Sequence, residues 1–287
     1  HRSSAASDVY KRQDRPLLRA AKRGHTRVVA LLLKAGAAVD QEDKYGYTAI
    51  YYAAAYPDMF ALLLKGGANP NHVNKNGYTP LLLAAENGKP SMVELLLETG
   101  SDPNYANNNG DTALHLVSKN YYNSVRVEKQ QYASVVKNLL KKGACVNQAN
   151  KKGFTPLLNA VKNEWVYLVH ILLTGGADPN QAAFPEHPMW EDEDGVTPLL
   201  LAAENGNTRM FERLLKAGAD PNQDAIAPFW GVENEVTPLH KAAEHNKERV
   251  VKLLLKTGVD VNAEVSGNWT ALGLSLIHIS EPTRHAS

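Results

Sequence analysis

The chain is poor in several things, and each shortage excludes a class of protein. Cys145 is its single cysteine, so no internal disulfide framework can hold it together, and a lone thiol fits a reducing compartment. No apolar run approaches the roughly 20 residues that a membrane-spanning helix requires. An excess of one charge is missing too. Lys and Arg number 31 against 30 Asp and Glu, and near-neutrality argues against a nucleic-acid surface, which needs a basic stripe to displace counterions from phosphates.

Catalytic constellations are equally scarce. HKAAEH (240–245) puts His240 and Glu244 one helical turn apart, yet zinc helices need H-E-x-x-H or H-x-x-E-H, and this spacing is neither. GKPS (88–91) lacks the upstream glycine of a phosphate-binding loop. Cys145 has no His or Asn placed in sequence to suggest a nucleophile. The residues therefore point to no enzyme, no metal and no cofactor.

Both ends read as translated nucleic-acid chemistry. If residues 8–13 are written GAT GTG TAT AAG AGA CAG, the reverse complement, CTG TCT CTT ATA CAC ATC, encodes residues 274–279. SSAASDVYKRQ (3–13) and LSLIHISEPTR (274–284) resemble the two arms of a transposase-based sequencing adapter. Residues 1–13 and 274–287 are therefore set aside from fold reasoning, and the natural ends are expected to lie elsewhere. The remaining segment, 14–273, carries 27 basic and 28 acidic residues.

What the sequence has in abundance is repetition. TPLLLAAENG occurs at 79–88 and again, unchanged, at 197–206, with relatives RPLLRAAKRG, YTAIYYAAAY, DTALHLVSKN, FTPLLNAVKN, TPLHKAAEHN and WTALG. With Arg15, Thr48, Thr79, Thr112, Thr155, Thr197, Thr237 and Thr270 as origins, the steps are 33, 31, 33, 43, 42, 40 and 33 residues. The base period is 33. Each unit follows one plan. Thr79 can cap a helix by accepting from a first-turn amide, and Pro80 at the first helical position loses a donor that had no partner anyway. Leu81, Leu82, Ala84 and Ala85 form the inner side of that short helix, and Gly88 ends it. A second helix in SMVELLLETG turns Met92, Val93 and Leu95 to Leu97 inward at helical spacing, and Gly100 stops it. A polar turn, NNNG at 107–110, returns the chain to the next Thr.

This pattern resembles the ankyrin repeat, G-x-TPLH-x-AA-x-x-G followed by a leucine-rich helix and GADPN or GADVN. The resemblance covers nearly all of 14–273 and implies an all-α solenoid of helix-turn-helix units with β-turn or hairpin fingers projecting from one side. One repeat cannot bury its apolar face alone, so neighbours share a continuous core. The array is cut inside its first repeat and inside an eighth, neither with a polar cap, so its ends are expected to fray. His115 and His240 occupy the His of TPLH, a structural role. The resemblance also implies a non-enzymatic, monomeric interaction scaffold, cytoplasmic or nuclear. It would bind another protein, and neither nucleic acid nor membrane, through finger tips and the concave face of the first helices. The alternative is the targeting arm of a larger kinase, ubiquitin-ligase adaptor or channel; a bacterial or viral effector is a third reading.

Departures from the pattern localise the expected contacts. The second repeat has Tyr56-Pro57 where the helix-stop glycine belongs. The fourth has ten extra residues around 120–132, expected to lengthen its two helices and their turn. Asn246 replaces glycine in the seventh, where it tolerates the left-handed conformation. Two finger insertions, 182–195 and 224–235, add nine and seven residues and carry Phe184, Met189 and Trp190 in one, Phe229 and Trp230 in the other. Tryptophan dominates binding energies, often at about 2 kcal/mol or more on truncation, so these loops either meet a partner or pack on each other. Glu191 to Asp194 would favour a basic partner. By the resemblance, contact positions also include the finger residue Tyr45, the pre-Thr residues Tyr47, Tyr78, Phe154 and Trp269, and polar pairs after Ala-Ala such as Glu86-Asn87 and Glu204-Asn205.

Overall fold

The computed structural model describes residues 15–119, 126–184, 195–223, 236–265 and 269–271. They fall into two compact units, His1–Cys145 and Val146–Ser287. Among the described residues there are 14 α-helices, one 3-10 turn and one pair of two-residue strands. The presumed adapter segments, 1–13 and 274–287, lie outside the described residues.

In the first unit, α1 (Pro16–Lys22), α3 (Ala49–Tyr52), α5 (Pro80–Glu86) and α7 (Ala113–Lys119) are the first helices of successive repeats, and each packs on the next. Their partners are α2 (Thr26–Lys34), α4 (Pro57–Lys65), α6 (Pro90–Glu98) and α8 (Arg126–Lys141). The second unit repeats the scheme with α9 (Pro156–Lys162), α11 (Pro198–Asn205) and α13 (Pro238–Glu244). These pair with α10 (Val166–Thr174), α12 (Thr208–Lys216) and α14 (Glu248–Leu255). After α14 a short antiparallel pair forms between β1 (Glu264–Val265) and β2 (Trp269–Thr270), with Val265 opposite Trp269.

The core lies between the stacked layers. Leu81, Leu82, Ala84, Ala85, Val93 and Leu96 are at most 1% exposed, as are Leu158, Leu168, Phe211 and Leu214 in the second unit. Each such leucine contributes about 1.5–3 kcal/mol by leaving water. Where no described repeat packs in front of α2, equivalent positions are more open: Val28 is 43% exposed where Met92 is 3%. Leu255 of α14 is 49% exposed where Leu97 is 7%.

The expected threonine cap forms at Thr79, Thr155 and Thr197, which accept the N–H of Leu82, Leu158 and Leu200. Thr48 and Thr237 lack it, for two different reasons. In the repeats with TPLH-type histidines, the imidazole takes the threonine hydroxyl instead: Nδ1 lies 2.8 Å from Oγ1 in both Thr112–His115 and Thr237–His240. His240 Nε2 lies 3.1 Å from the Ala263 carbonyl, which can only accept, so Nε2 carries the proton and Nδ1 receives the hydroxyl's. Thr48 is buried with its hydroxyl unbonded, at the head of the shortened α3.

The irregular repeats solve their turns locally. After α3 the chain tightens into the 3-10 turn Ala53–Ala55 and Pro57 opens α4 at once. The Tyr56 ring then lies so close to Gly24 that a Cβ there would meet it at 2.3 Å. In the fourth repeat the extra residues extend the second helix alone among the described residues. α8 has 16 residues against 9 in α6, while α7 keeps the usual 7. Asn246 has φ 53°, as expected, and Glu164 adopts the same left-handed φ at the equivalent turn, which the sequence did not announce.

A side-chain ladder ties consecutive repeats together. Asn180 Nδ2 donates to the Gly218 carbonyl (3.0 Å) and its Oδ1 accepts the N–H of Asp220 (2.8 Å). Asn147 makes the same two bonds to Gly176 and Asp178, and Asn104 to Gly143 and Cys145. The final asparagine of GADPN is thus an amide whose donor and acceptor are both used.

Candidate partner-binding surface

Each of four described fingers is built on one side-chain oxygen. Asp43 Oδ1 accepts the N–H of Tyr45 (2.8 Å) and Tyr47 (3.0 Å). Asn74 does the same for Asn76 and Tyr78, Asn107 for Asn109 and Asp111, and Asn150 for Lys152 and Phe154. Three residues further on, Gly46, Gly77, Gly110 and Gly153 take φ between 76° and 84°, a conformation glycine enters without a Cβ penalty. The spacing Asp/Asn-x-x-Gly is therefore the finger signal, of which NNNG at 107–110 is one instance.

The fingers place the expected contact residues unequally. Tyr45 stands out, 53% exposed, with Lys44 Nζ 4.7 Å over its ring. Tyr47 is half-buried and meets Tyr51 edge-on, ring centres 5.0 Å apart, and Tyr52 at 6.2 Å. Tyr78 is half-buried. Phe154 lies in the core at 3% exposure, packed with Leu158 and Ala183, while Lys162 Nζ lies 5.1 Å from its ring centre. Its burial makes it a support of its finger: an aromatic ring there gains more from the core than from solvent. Phe184 is 54% exposed at the root of the longer finger insertion. That root is closed by backbone bonds from Ala183 N to Val196 O (3.0 Å) and from Gly195 N to Ala183 O (2.8 Å). Met189, Trp190, Phe229 and Trp230 lie outside the described residues. Trp269 is placed by its backbone in β2, and its side chain also lies outside the described set.

Two tyrosines missing from the sequence expectation organise the first unit's inner face. Tyr51 occupies the His position of TPLH. Its single hydroxyl proton is shared between the carbonyls of His72 (2.5 Å) and Tyr78 (2.8 Å), holding the next finger. Burial raises its pKa well above the ordinary phenol value, so it stays a donor. Tyr52 donates to Asp43 Oδ2 (3.2 Å), and burial together with that carboxylate pushes it up to about 12. Further along, Tyr78 is pushed up to about 12 by burial and nearby Glu86. Burial raises Glu86 in turn, with Asp111 adding to the rise while Tyr78 and Lys119 oppose it. Asp111 is itself buried against Lys119, with both carboxylate oxygens 2.7 Å from Nζ.

On the inner face of the second unit, Glu204 lies 3.8 Å from His245. His240 is buried and fully engaged as above, which leaves HKAAEH without a free imidazole–carboxylate pair. Among the described residues no group of three or more His, Cys, Asp and Glu could hold a metal, and no helix is long and apolar enough to cross a membrane.

Ankyrin-repeat profiles match residues 4–74, 55–128 and 127–225, and a single ankyrin repeat matches 234–264. The chain belongs to the ankyrin-repeat family. The first match reaches into residues 1–13. The ankyrin repeat domain of Bcl-3, described as a unique member of the IkappaB protein family, superposes with a TM-score of 0.68 at 25% identity. The likeness covers 85% of this chain and 99% of that one. No curated protein matches in sequence. In all, 519 solved chains match this ankyrin array, so the fold alone selects no partner. Ankyrin repeats are protein-interaction modules, stacked so that inner helices and fingers form one extended binding face.

Proposed function

We propose that this ankyrin array is a non-enzymatic scaffold that captures another protein through its fingers and the inner helices, with the extended fingers of the fifth and sixth repeats as the main anchors. The observation that carries this is the finger itself. A turn held by two bonds to one side-chain oxygen is pre-organised, so little conformational entropy is lost when Tyr45 meets a partner, and Phe184 stands exposed on a root closed by backbone bonds. The sequence of the same two longer fingers supplies Trp190 and Trp230 as candidate anchors, and Glu191 to Asp194 suit a partner with basic residues. A monomer in the cytoplasm or nucleus fits the exposed lone thiol of Cys145.

The test is quantitative capture from cell lysate by the wild-type chain and by Trp190→Ala and Trp230→Ala, with circular dichroism confirming the fold. Each substitution should cut recovery of the same partner about thirtyfold, equivalent to roughly 2 kcal/mol. Undiminished recovery with both variants removes the finger-loop reading.

A further inference from the structure

The first unit concentrates a charge that the neutral composition hides. A groove of about 830 Å³ beside α1 is lined by Arg15, Arg19, Lys22 and Arg23, together with Asp43 and Tyr52. An adjoining hollow of about 330 Å³ shares Arg15 and Asp43 and adds Glu42, Lys44 and Lys75. Among the described lining residues, six Lys and Arg side chains meet two carboxylates. Both carboxylates are engaged: Asp43 by the Tyr52 hydroxyl and two backbone amides, Glu42 by His72 Nε2 at 3.0 Å. Arg15 Nε is buried with no acceptor among the described residues, and Lys22 Nζ stands 5.9 Å over the Tyr52 ring. Cations gathered in a concavity focus their field into it and raise the local concentration of anions.

We propose that this groove receives an extended acidic segment of a partner protein with carboxylates at alternate residues; the proposal rests on the interaction reading above and names the chemistry of one part of it. The spacing argues for that pattern. Arg19 and Arg23 are one turn apart on α1 and its cap, about 6 Å along the axis. Alternate residues of an extended chain are about 6.7 Å apart and face the same way. Consecutive carboxylates can therefore each meet a guanidinium, which binds them through two parallel N–H bonds. A nucleic acid fits less well. Its backbone needs a basic track, whereas the inner helices continue to Glu86, half-buried, and Asp111, already paired with Lys119.

Fluorescence anisotropy on the whole chain decides the matter, using a short labelled peptide in which Glu alternates with Ser, its Gln counterpart, and an oligothymidylate of similar length. The Glu peptide should bind, weaken as salt rises, and outcompete both controls. Arg19→Glu with Arg23→Glu should weaken it at least about tenfold, and Arg19→Lys with Arg23→Lys by less, since charge is kept while the paired geometry is lost. Circular dichroism and the thermal midpoint check that these exposed substitutions leave the fold intact. Equal binding of the Glu and Gln peptides, no binding at about 1 mM, or indifference to charge reversal overturns the proposal; tighter binding of the oligothymidylate replaces it with a nucleic-acid surface. Trp190→Ala and Trp230→Ala should not affect the peptide. If the peptide fails while those variants still weaken partner capture, the groove inference falls alone; if the peptide binds and capture is indifferent to them, the finger reading falls alone.

Discussion

Replacing Asn180 by Ala and by Asp should separate the two halves of the clamp that joins repeats in the second unit. The amide donates to Gly218 O at 3.0 Å and accepts from Asp220 N at 2.8 Å. A hydrogen bond of this kind is worth about 0.5–1.5 kcal/mol net. Gly218 and Asp220 are exposed, so water takes over the lost partners in Asn180→Ala and no burial penalty is added. The expected loss is about 1–2 kcal/mol, or roughly 2–8 °C in the thermal midpoint for a chain of this size. Asn180→Asp keeps the acceptor for Asp220 N but turns an oxygen toward the Gly218 carbonyl and adds a charge beside Asp178 and Asp220. It should be no more stable than the alanine variant. All four tryptophans, Trp165, Trp190, Trp230 and Trp269, lie in Val146–Ser287, so urea denaturation followed by tryptophan fluorescence reads this unit selectively. Wild-type stability in Asn180→Asp would refute the reasoning, because the donor half of the clamp would then contribute nothing.

Three further outcomes follow from the same structure. Asp40 stands at the clamp position of the first repeat and accepts only from Asn69 N, at 3.1 and 3.2 Å; Asp40→Asn supplies the missing donor. It should raise the first unit's stability by about 0.5–1 kcal/mol, read by amide exchange in α1–α4. Glu164→Gly should relieve about 1–2 kcal/mol of left-handed strain at φ 53° while losing about 0.5–1 kcal/mol to the freer unfolded chain, a net gain of about 0.5–1 kcal/mol in urea melts that Glu164→Ala does not share. Glu86 binds its proton more tightly folded than unfolded, so its contribution to stability falls as pH rises from the ordinary carboxylate range through its raised value, then levels off. The midpoint difference between Glu86→Gln and wild type should therefore move in favour of Gln across that window, and a pH-independent difference would contradict the sign.

The helices and their order were legible because their signals are local. Thr-Pro at 79–80, 197–198 and 237–238 starts a helix wherever it stands, and Gly36, Gly100 and Gly218 end one by accepting positive φ. The Asp/Asn-x-x-Gly fingers are equally local: NNNG at 107–110 marks one, and Asp43, Asn74 and Asn150 repeat the spacing. Phe154 was not legible at that level. Tyr47, Tyr78 and Phe154 hold the same place in the period, and whether a ring points out or in depends on the neighbouring repeat. Ala183 of the next repeat packs on Phe154 together with Leu158, whereas Tyr47 meets Tyr51 and Tyr52 of its own repeat and stays half-buried.

By itself, then, the sequence determined that this chain is a repeating stack, where the helices of its regular repeats begin and end, and which family it joins, because capping, glycine turns and hydrophobic period act within one repeat. Only the tertiary structure decided how repeats grip one another through Asn104, Asn147 and Asn180. It alone made Tyr51 a brace and gathered Arg15, Arg19, Lys22 and Arg23 beside Lys44 and Lys75 in one basic hollow. Those outcomes depend on contacts between residues about 20 to 60 positions apart, whose meeting is set by the stacking of whole repeats.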